Sequence, residues 1–517
     1  MKQIVNGLSK FDHGKRAYAV LVLCATAIAL PAQDFHHLDS FNYTDGSYPQ
    51  AGLVQAADGD LYGTTTGGPE GLLGGTVFKI TPGGTLTTLY SFCSQSDCAD
   101  GASPTAALVQ ATNGSFYGTT LYGGASPVGN CSPNGCGTVF KMSPCGTLTT
   151  LHSFCSQSAC ADGYLPEAGL VQAAYGDLYG ATLVGGANAG PYGAGGGTVF
   201  KITPGGTLTT LYSFCSQSGC RDGFGPSGLV QATNGDFYGT TGGSVPATIT
   251  GAGTYGTVFK ITASAALTTL YRFCKQTGCP DGAHPGAGLV EAANGDFFGT
   301  TMLGGANCAP SGCGTVFKIT PSGTLTTLYS FCSQSGCADG ERPQAALIQG
   351  TDGNLYGTTY GGGASGGGTV FKITPTGMLT TLFTFCGLGV FGCTDGETPL
   401  AGLVQATNGD FYGTTGNGGA SNKCYNGCGT IFNLSEGLGP FVKTLPASAR
   451  VGTAIMILGT SLAGAASVSF NGTEAVFAVV SSAEIATVVP FGATTGEVKV
   501  RTPSGTLSSN GPFRVLP

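Results

Sequence analysis

Eighteen of the 20 cysteines in this 517-residue chain stand in close pairs, and no other residues announce chemistry so directly. Six pairs recur at one relative position: Cys93/Cys98, Cys155/Cys160, Cys215/Cys220, Cys274/Cys279, Cys332/Cys337 and Cys386/Cys393. Three more, Cys131/Cys136, Cys308/Cys313 and Cys424/Cys428, form a second class. Near-neighbour thiols can close disulfides or supply half of a zinc site. Zinc needs four converging thiolate or imidazole ligands, and no loop offers a His or a second Cys pair along the chain. Disulfides are therefore expected, with no metal and no cofactor. Such short closures remove modest chain entropy, so they are expected to stiffen loops more than they hold a fold. Cys145 has no nearby partner.

Acid–base chemistry has fewer candidates. Glycoside hydrolysis needs two carboxylates flanking a bond, and Glu70, Glu167, Glu341 and Glu397 are loop acids spread along the chain. Glu291 replaces the Gln found at 55, 110, 172, 231, 349 and 405. His152 replaces a repeated Tyr, and His284 lies in a loop with no visible partner. Tyr122, Tyr192, Tyr255, Tyr360 and Tyr425 are loop aromatics able to stack on sugars, although the chain has no Trp. No nucleophile motif, phosphate-cradling loop or dinucleotide fingerprint occurs.

The elements that must position these residues come from a tandem repeat. "LYGTT" recurs with its aromatic at Tyr62, Tyr117, Tyr179, Tyr238, Phe298, Tyr356 and Tyr412, at intervals of roughly 60 residues. Each copy reads as four strands: "GLVQA", "LYGTT", "GTVFKI" and "LTTLYSF". An Asn-Gly or Asp-Gly joins the first two and is expected to make a two-residue hairpin with positive φ angles. Repeated four-stranded units predict propeller blades. After "GTIFNL" at 429–434 the fourth strand is missing, while an orphan copy, "FHHLDSF", stands at 35–41. The all-β expectation is a seven-bladed propeller whose N-terminal strand completes the last blade and removes an exposed edge.

Alternating strand direction puts both hairpin turns on one face. The Gly-rich second-to-third loops and the inter-blade loops share the other, which gathers both Cys classes and most length variation. Each inter-blade loop ends in Asp-Gly-x-x-Pro, begun by Asp45, Asp100, Asp162, Asp222, Asp281, Asp339 and Asp395. Their uniform spacing suggests Asp capping of the turn that follows. Beyond about Leu438 short alternating strands predict a small β-sandwich of a different grammar.

Residues 1–32 read as a secretory signal, with Lys2, Lys10, Lys15 and Arg16 before the apolar run "AYAVLVLCATAIAL". A propeller over 35–434 and a sandwich over 438–517 follow. Net charge is −7 and no basic cluster appears along the chain, a poor basis for nucleic-acid binding. A monomer with no membrane insertion after signal cleavage is expected.

The repeat, carried by "LYGTT", "GTVFKI" and "LTTLYSF", resembles the Gloeo/Verruco (GloVer) tandem repeat of exported bacterial proteins, which implies no particular activity. "GTAIMILGTSL", "VSFNGTEA" and "VVPFGATTGEVKVRTPSG" are similar to the IPT/TIG immunoglobulin-like domain, which implies a spacer or adhesion module. Together these features point to a secreted or cell-surface, non-catalytic binding protein whose ligand is an extracellular glycan or surface protein, held on the disulfide-stapled face. Tyr122, Tyr192, Tyr255, Tyr360, Tyr425 and Glu291 are its candidate contacts. The rival readings are a carbohydrate-active hydrolase or lyase using loop carboxylates, and an envelope spacer.

Overall fold

The computed structural model describes residues 34–516 apart from 72, 126–130, 132–133, 174, 189–194, 244–254, 309–311 and 388–392. The expected signal, Tyr192 and much of the Gly-rich gap of the fourth repeat lie outside the described residues.

The first repeat shows why the motif folds as it does. β2 (Val54–Gln55), β3 (Leu61–Thr65), β4 (Thr76–Ile80) and β5 (Leu86–Ser91) form an antiparallel meander in chain order. All of β3 is buried. Its Gly63 is required by close approach, since a Cβ there would stand 2.5 Å from the Phe78 ring and 2.7 Å from Leu53. Thr65 and Thr76 satisfy each other in the core through hydroxyls 2.8 Å apart. The same four-strand order recurs, giving seven such sheets among the described residues of the repeat region.

The seventh sheet is composite. β1 (Asp34–Ser40) pairs antiparallel with Thr430–Ser435, outside strands Phe411–Thr415 and Val404–Gln405. The N-terminal strand thus supplies the missing fourth strand, as expected.

Contacts between sheets run round a closed ring. Phe41–Phe78, Phe92–Phe140, Phe154–Phe200, Phe214–Phe259, Phe273–Phe317, Phe331–Phe371 and Phe385–Phe432 each meet edge to face at 5.1–5.2 Å. The first of these joins the last sheet to the first. The first strands are innermost: a Cβ on Gly52 would lie 3.2 Å from Gly402 O, and one on Gly402 would lie 3.1 Å from Ala346 O. Side-chain amides lock this inner rim. Ala57 N donates to Gln110 (3.0 Å), Thr112 N to Gln172 (3.2 Å), Thr351 N to Gln405 (3.0 Å) and Thr407 N to Gln55 (2.9 Å).

The hairpins differ from expectation. Asp58 stays out of the positive-φ region and only Gly59 enters it, at φ 89°. Ala56 N bonds Asp60 O and Gly59 N bonds Ala56 O, which makes a three-residue turn closed by a glycine bulge. A type I turn needs such a left-handed residue to restore strand twist, so one glycine suffices.

The C-terminal segment forms two facing four-stranded sheets around Val442, Ile457, Val468, Phe470, Ile485, Val500 and Phe513. It sits against the hairpin-turn side of the propeller. Phe441 N donates to Thr407 O (3.0 Å), Asn510 Nδ2 to Gln349 O (3.2 Å) and Lys443 Nζ to Gln405 O, while Thr460 and Thr407 hydroxyls meet at 3.0 Å. Arg450 lies over the Tyr175 ring at 5.4 Å.

Candidate functional site

The opposite face is built from inter-blade loops that share one internal device. Asp100 is fully buried and accepts from Tyr90 OH (2.8 Å), Ser94 N (3.1 Å), Ser94 Oγ (2.8 Å) and Gln95 N (3.3 Å). Asp222 and Asp339 repeat the set with Tyr212, Ser216 and Gln217, and with Tyr329, Ser333 and Gln334. The carboxylate therefore grips the loop and strand before it, rather than capping the turn after it. Backbone donors at the start of the loop lie within reach, and a buried carboxylate needs several of them.

Around these aspartates the nine expected cysteine pairs are joined as disulfides. Cys93–Cys98, Cys155–Cys160, Cys215–Cys220, Cys274–Cys279, Cys332–Cys337 and Cys386–Cys393 close the inter-blade loops. Cys131–Cys136, Cys308–Cys313 and Cys424–Cys428 close the second class. Cys145 is unpaired and exposed.

These bridges are expected to stiffen loops more than they hold the fold; their second cysteines also reach into the framework. Cys98 is half-buried in the left-handed region at φ 51°, and its carbonyl accepts from Gly101 N (2.8 Å) and Gly124 N (2.9 Å). Cys160 repeats this at φ 51°, accepting from Gly163 N (2.9 Å) and Gly186 N (3.0 Å). Each thus ties its inter-blade loop to the Gly-rich loop of the following blade. Cys160 is also buried, packed in one cluster with Phe154 and Phe200. Cys428 is fully buried beside Phe41 and Tyr412, and its carbonyl accepts from Tyr48 N (2.8 Å) across the joint that closes the ring. A half-cystine is small and apolar enough to fill such a joint, a property that loop entropy alone did not indicate.

His152 fits the aspartate device. It stands for the Tyr, and its Nε2 lies 3.0 Å from Asp162 Oδ2. Burial pushes the Asp162 carboxyl up, but bonds from His152, the Ser156 hydroxyl and the Ser156 and Gln157 amides outweigh it, leaving it below the ordinary range. His284 is not a solvated loop residue. It is half-buried, its Nδ1 lies 2.7 Å from Gly242 O, and burial lowers its pKa.

The acids named from sequence are held separately. Glu291 takes over the inter-blade role of the Gln residues, accepting from Thr233 N (2.8 Å) and Thr233 Oγ1 (2.7 Å), so both its oxygens are occupied. Glu341 leans on the cysteines of neighbouring loops, with Oε2 3.5 Å from Cys313 Sγ, and Glu397 sits beside Cys386 and Cys393. Glu70 is exposed at a loop tip. Glu167 precedes the innermost strand of the third sheet, Val171–Gln172, and surrounding protein raises its carboxyl pKa. Cys308, Cys313, Cys332, Cys337 and Glu341 do converge, with candidate ligand atoms within 4.8 Å of one another. Two Cys pairs from different loops thus meet, which linear spacing did not reveal. All four sulfurs are spent in disulfides, so the set does not offer thiolates.

Among the tyrosines, Tyr122 and Tyr360 are half-buried and joined by their backbones to neighbouring inter-blade loops. Tyr425 is 86% exposed, and its carbonyl receives the Tyr48 hydroxyl at 3.4 Å. Tyr255 is placed differently. It stands edge-on to His284 and lines two adjoining clefts of about 900 and 810 Å³, the first between the loop entering the fourth blade and that blade, the second between the fourth and fifth blades. Arg221, Arg272 and Lys275 line the first of these, and Lys275 is common to both. Sequence reasoning missed these three cations. The signal was present, because Arg272 and Lys275 stand where other repeats have Ser91 and Ser94, and Arg221 where they have Ala99.

The Gloeobacter/Verrucomicrobia repeat model matches residues 25–246, 130–337 and 247–441, and the IPT/TIG domain model matches 441–515. No curated protein matches. Similar solved structures include a streptogramin B lyase (13% identity, 78% of this chain and 97% of that one, TM-score 0.47). A fungal alcohol oxidase in complex with copper is similar at 12% identity, over 94% of this chain and 99% of that one, with TM-score 0.46. A PQQ-bound aldose sugar dehydrogenase from Streptomyces coelicolor is similar at 13% identity, over 78% and 98%, with TM-score 0.37.

Proposed function

This chain belongs to the Gloeobacter/Verrucomicrobia repeat family, and from that premise we propose that it is an exported, non-catalytic binding protein that holds an extracellular glycan on its inter-blade loop face. The observation that carries this reading is the difference between the two faces. The hairpin face is uniform and covered by the sandwich through Lys443, Thr460, Asn510 and Arg450. Among the described residues the loop face has no such cover; it is stiffened by disulfides and carries the clefts and the departures from the repeat. Rigid loops lose little conformational freedom on binding, which favours affinity. Nine disulfides agree with an oxidising compartment, and no helix among the described residues is long and apolar enough to cross a membrane.

Catalysis by paired acids has less support, since Glu291, Glu341 and Glu397 are each engaged with their own neighbours. The test is a glycan array probed with the protein lacking residues 1–32, followed by competition with an antibody fragment raised against a loop-face peptide. Specific glycans displaced by the fragment are expected. Binding of none, or binding indifferent to the fragment, would remove the reading.

A further inference from the structure

The adjoining loop-face clefts on either side of Tyr255, at the fourth blade, carry their own chemistry. The framework lysines of the repeat are mostly paired: Lys79, Lys201, Lys260 and Lys318 with the Asp just before their second strand, and Lys372 with Glu436. Arg221, Arg272 and Lys275 are exposed, and among the described residues none makes an ion pair; Lys275 only rests 3.8 Å above the Tyr271 ring. Three unpaired cations around one concavity are unusual in a chain of net charge −7.

Lys275 also gives the loop aspartate no side-chain hydrogen bond. Ser94, Ser156, Ser216 and Ser333 each donate hydroxyl and amide to the loop aspartate. With Lys275 in that position, Asp281 Oδ2 keeps the Tyr271 hydroxyl (2.9 Å) but has no serine hydroxyl, and its Oδ1, which a Gln amide serves in those four loops, has no partner. The frame loses hydrogen bonds and gains an exposed charge, which is the pattern expected where a local rule yields to function.

We propose that this cleft binds an acidic saccharide chain, one bearing carboxylate or sulfate groups, an inference that rests on the loop-face reading above. Guanidinium forks match both anions in two-point geometry, and Lys275 adds a third positive point. The clefts share Tyr255, Cys274 and Lys275, so the site is elongated and suits an oligomer rather than a single ion. Ser218, Gln276 and Thr277 are exposed along it and offer uncharged partners for sugar hydroxyls, with the Tyr255 ring between the lobes. Three cations are few for nucleic acid, where affinity is built on many phosphate contacts.

The test is calorimetric titration of the protein lacking residues 1–32 with hexagalacturonate, a chondroitin sulfate hexasaccharide, cellohexaose and hexathymidylate. The variants are Arg221→Ala, Arg272→Ser, Lys275→Ser and their combination, each restoring what other blades carry at that position. One acidic hexasaccharide should bind, more weakly in higher salt, and lose about tenfold per substitution. Carboxylate and sulfate preference are separated by which acidic probe binds. Equal binding to the triple variant, equal binding of hexathymidylate, or no binding of either acidic probe would overturn the proposal. A neutral glycan held by the loop face and unaffected by the triple variant would overturn this cleft and leave the broader reading standing. A glycan array with no hits would end both.

Discussion

Replacing Lys275 by Ser should make the protein more stable while it weakens binding. In four other inter-blade loops a serine at this position gives the aspartate two hydrogen bonds of 2.8–3.1 Å, from its amide and its hydroxyl. Asp281 Oδ2 has the Tyr271 hydroxyl but no serine hydroxyl, because Lys275 stands there. A hydrogen bond to a charged group is worth about 1.5–3 kcal/mol. Losing the Lys275–Tyr271 contact costs about 0.5–1 kcal/mol at an exposed site. If the hydroxyl bond is recovered, the net gain is about 1–2 kcal/mol. Lys275→Ala provides the control, since it removes the cation and supplies no hydroxyl. Urea titrations of the three proteins, followed by intrinsic tyrosine fluorescence, compare them under one condition. The order expected is Ser above wild type, and Ser above Ala. A Ser variant no more stable than the Ala variant would show that the loop aspartate does not depend on this position. Lys275 would then carry no cost to the frame.

Ring closure predicts that Phe41→Ala costs as much as Phe92→Ala or Phe214→Ala, about 3–5 kcal/mol each by denaturant titration, because all three rings are fully buried in equivalent joints. A negligible cost at Phe41 alone would mean the N-terminal strand is dispensable. Asp162 has a depressed folded pKa, so its contribution is present above the unfolded value of about 3.9 and is lost as pH falls through the folded value. Replacing Asp162 by Asn should accordingly flatten the acid limb of the stability profile, and an unchanged limb would contradict the assignment. Lys443 is pulled down to about 8 by burial at the junction with the sandwich. The folded state then sheds this proton before the unfolded chain does, so stability should rise as pH climbs from about 8 towards the unfolded value near 10.4. Lys443→Met should abolish that rise, as read from melting temperatures between about pH 7 and 10, and a persistent rise would refute it.

The architecture was legible because a repeat states its strands many times over. The displaced copy at 35–41 could mean little else than a strand completing the sheet that ends at Ser435. The nine disulfides were legible because each partner is a near neighbour. What sequence left hidden depends on approach across loops. The burial of Cys160 and Cys428, and the grip of the Cys98 carbonyl on Gly124, belong to joints between blades that no single loop displays. The aspartates were assigned to the turn ahead, although their donors lie behind them, and only folding the loop back shows it. The meeting of Cys308 and Cys313 with Cys332 and Cys337 joins loops separated by two whole strands. Glu291 drew attention as the one acid among glutamines, yet its oxygens do the glutamines' work on Thr233. Arg221, Arg272 and Lys275 were passed over because charge was sought in runs along the chain. Their proximity arises across a blade boundary, and comparing repeats position by position would have found it.

The most direct test of the account is hydrogen–deuterium exchange of the protein lacking residues 1–32, with and without the hexasaccharide that binds it most tightly. Protection is predicted in peptides covering 218–221, 255–257 and 272–280, with no change in the hairpin turns near Gly59, Gly114 and Gly235. Protection confined to the hairpin face or to the sandwich, or no protection at saturating ligand, would contradict it.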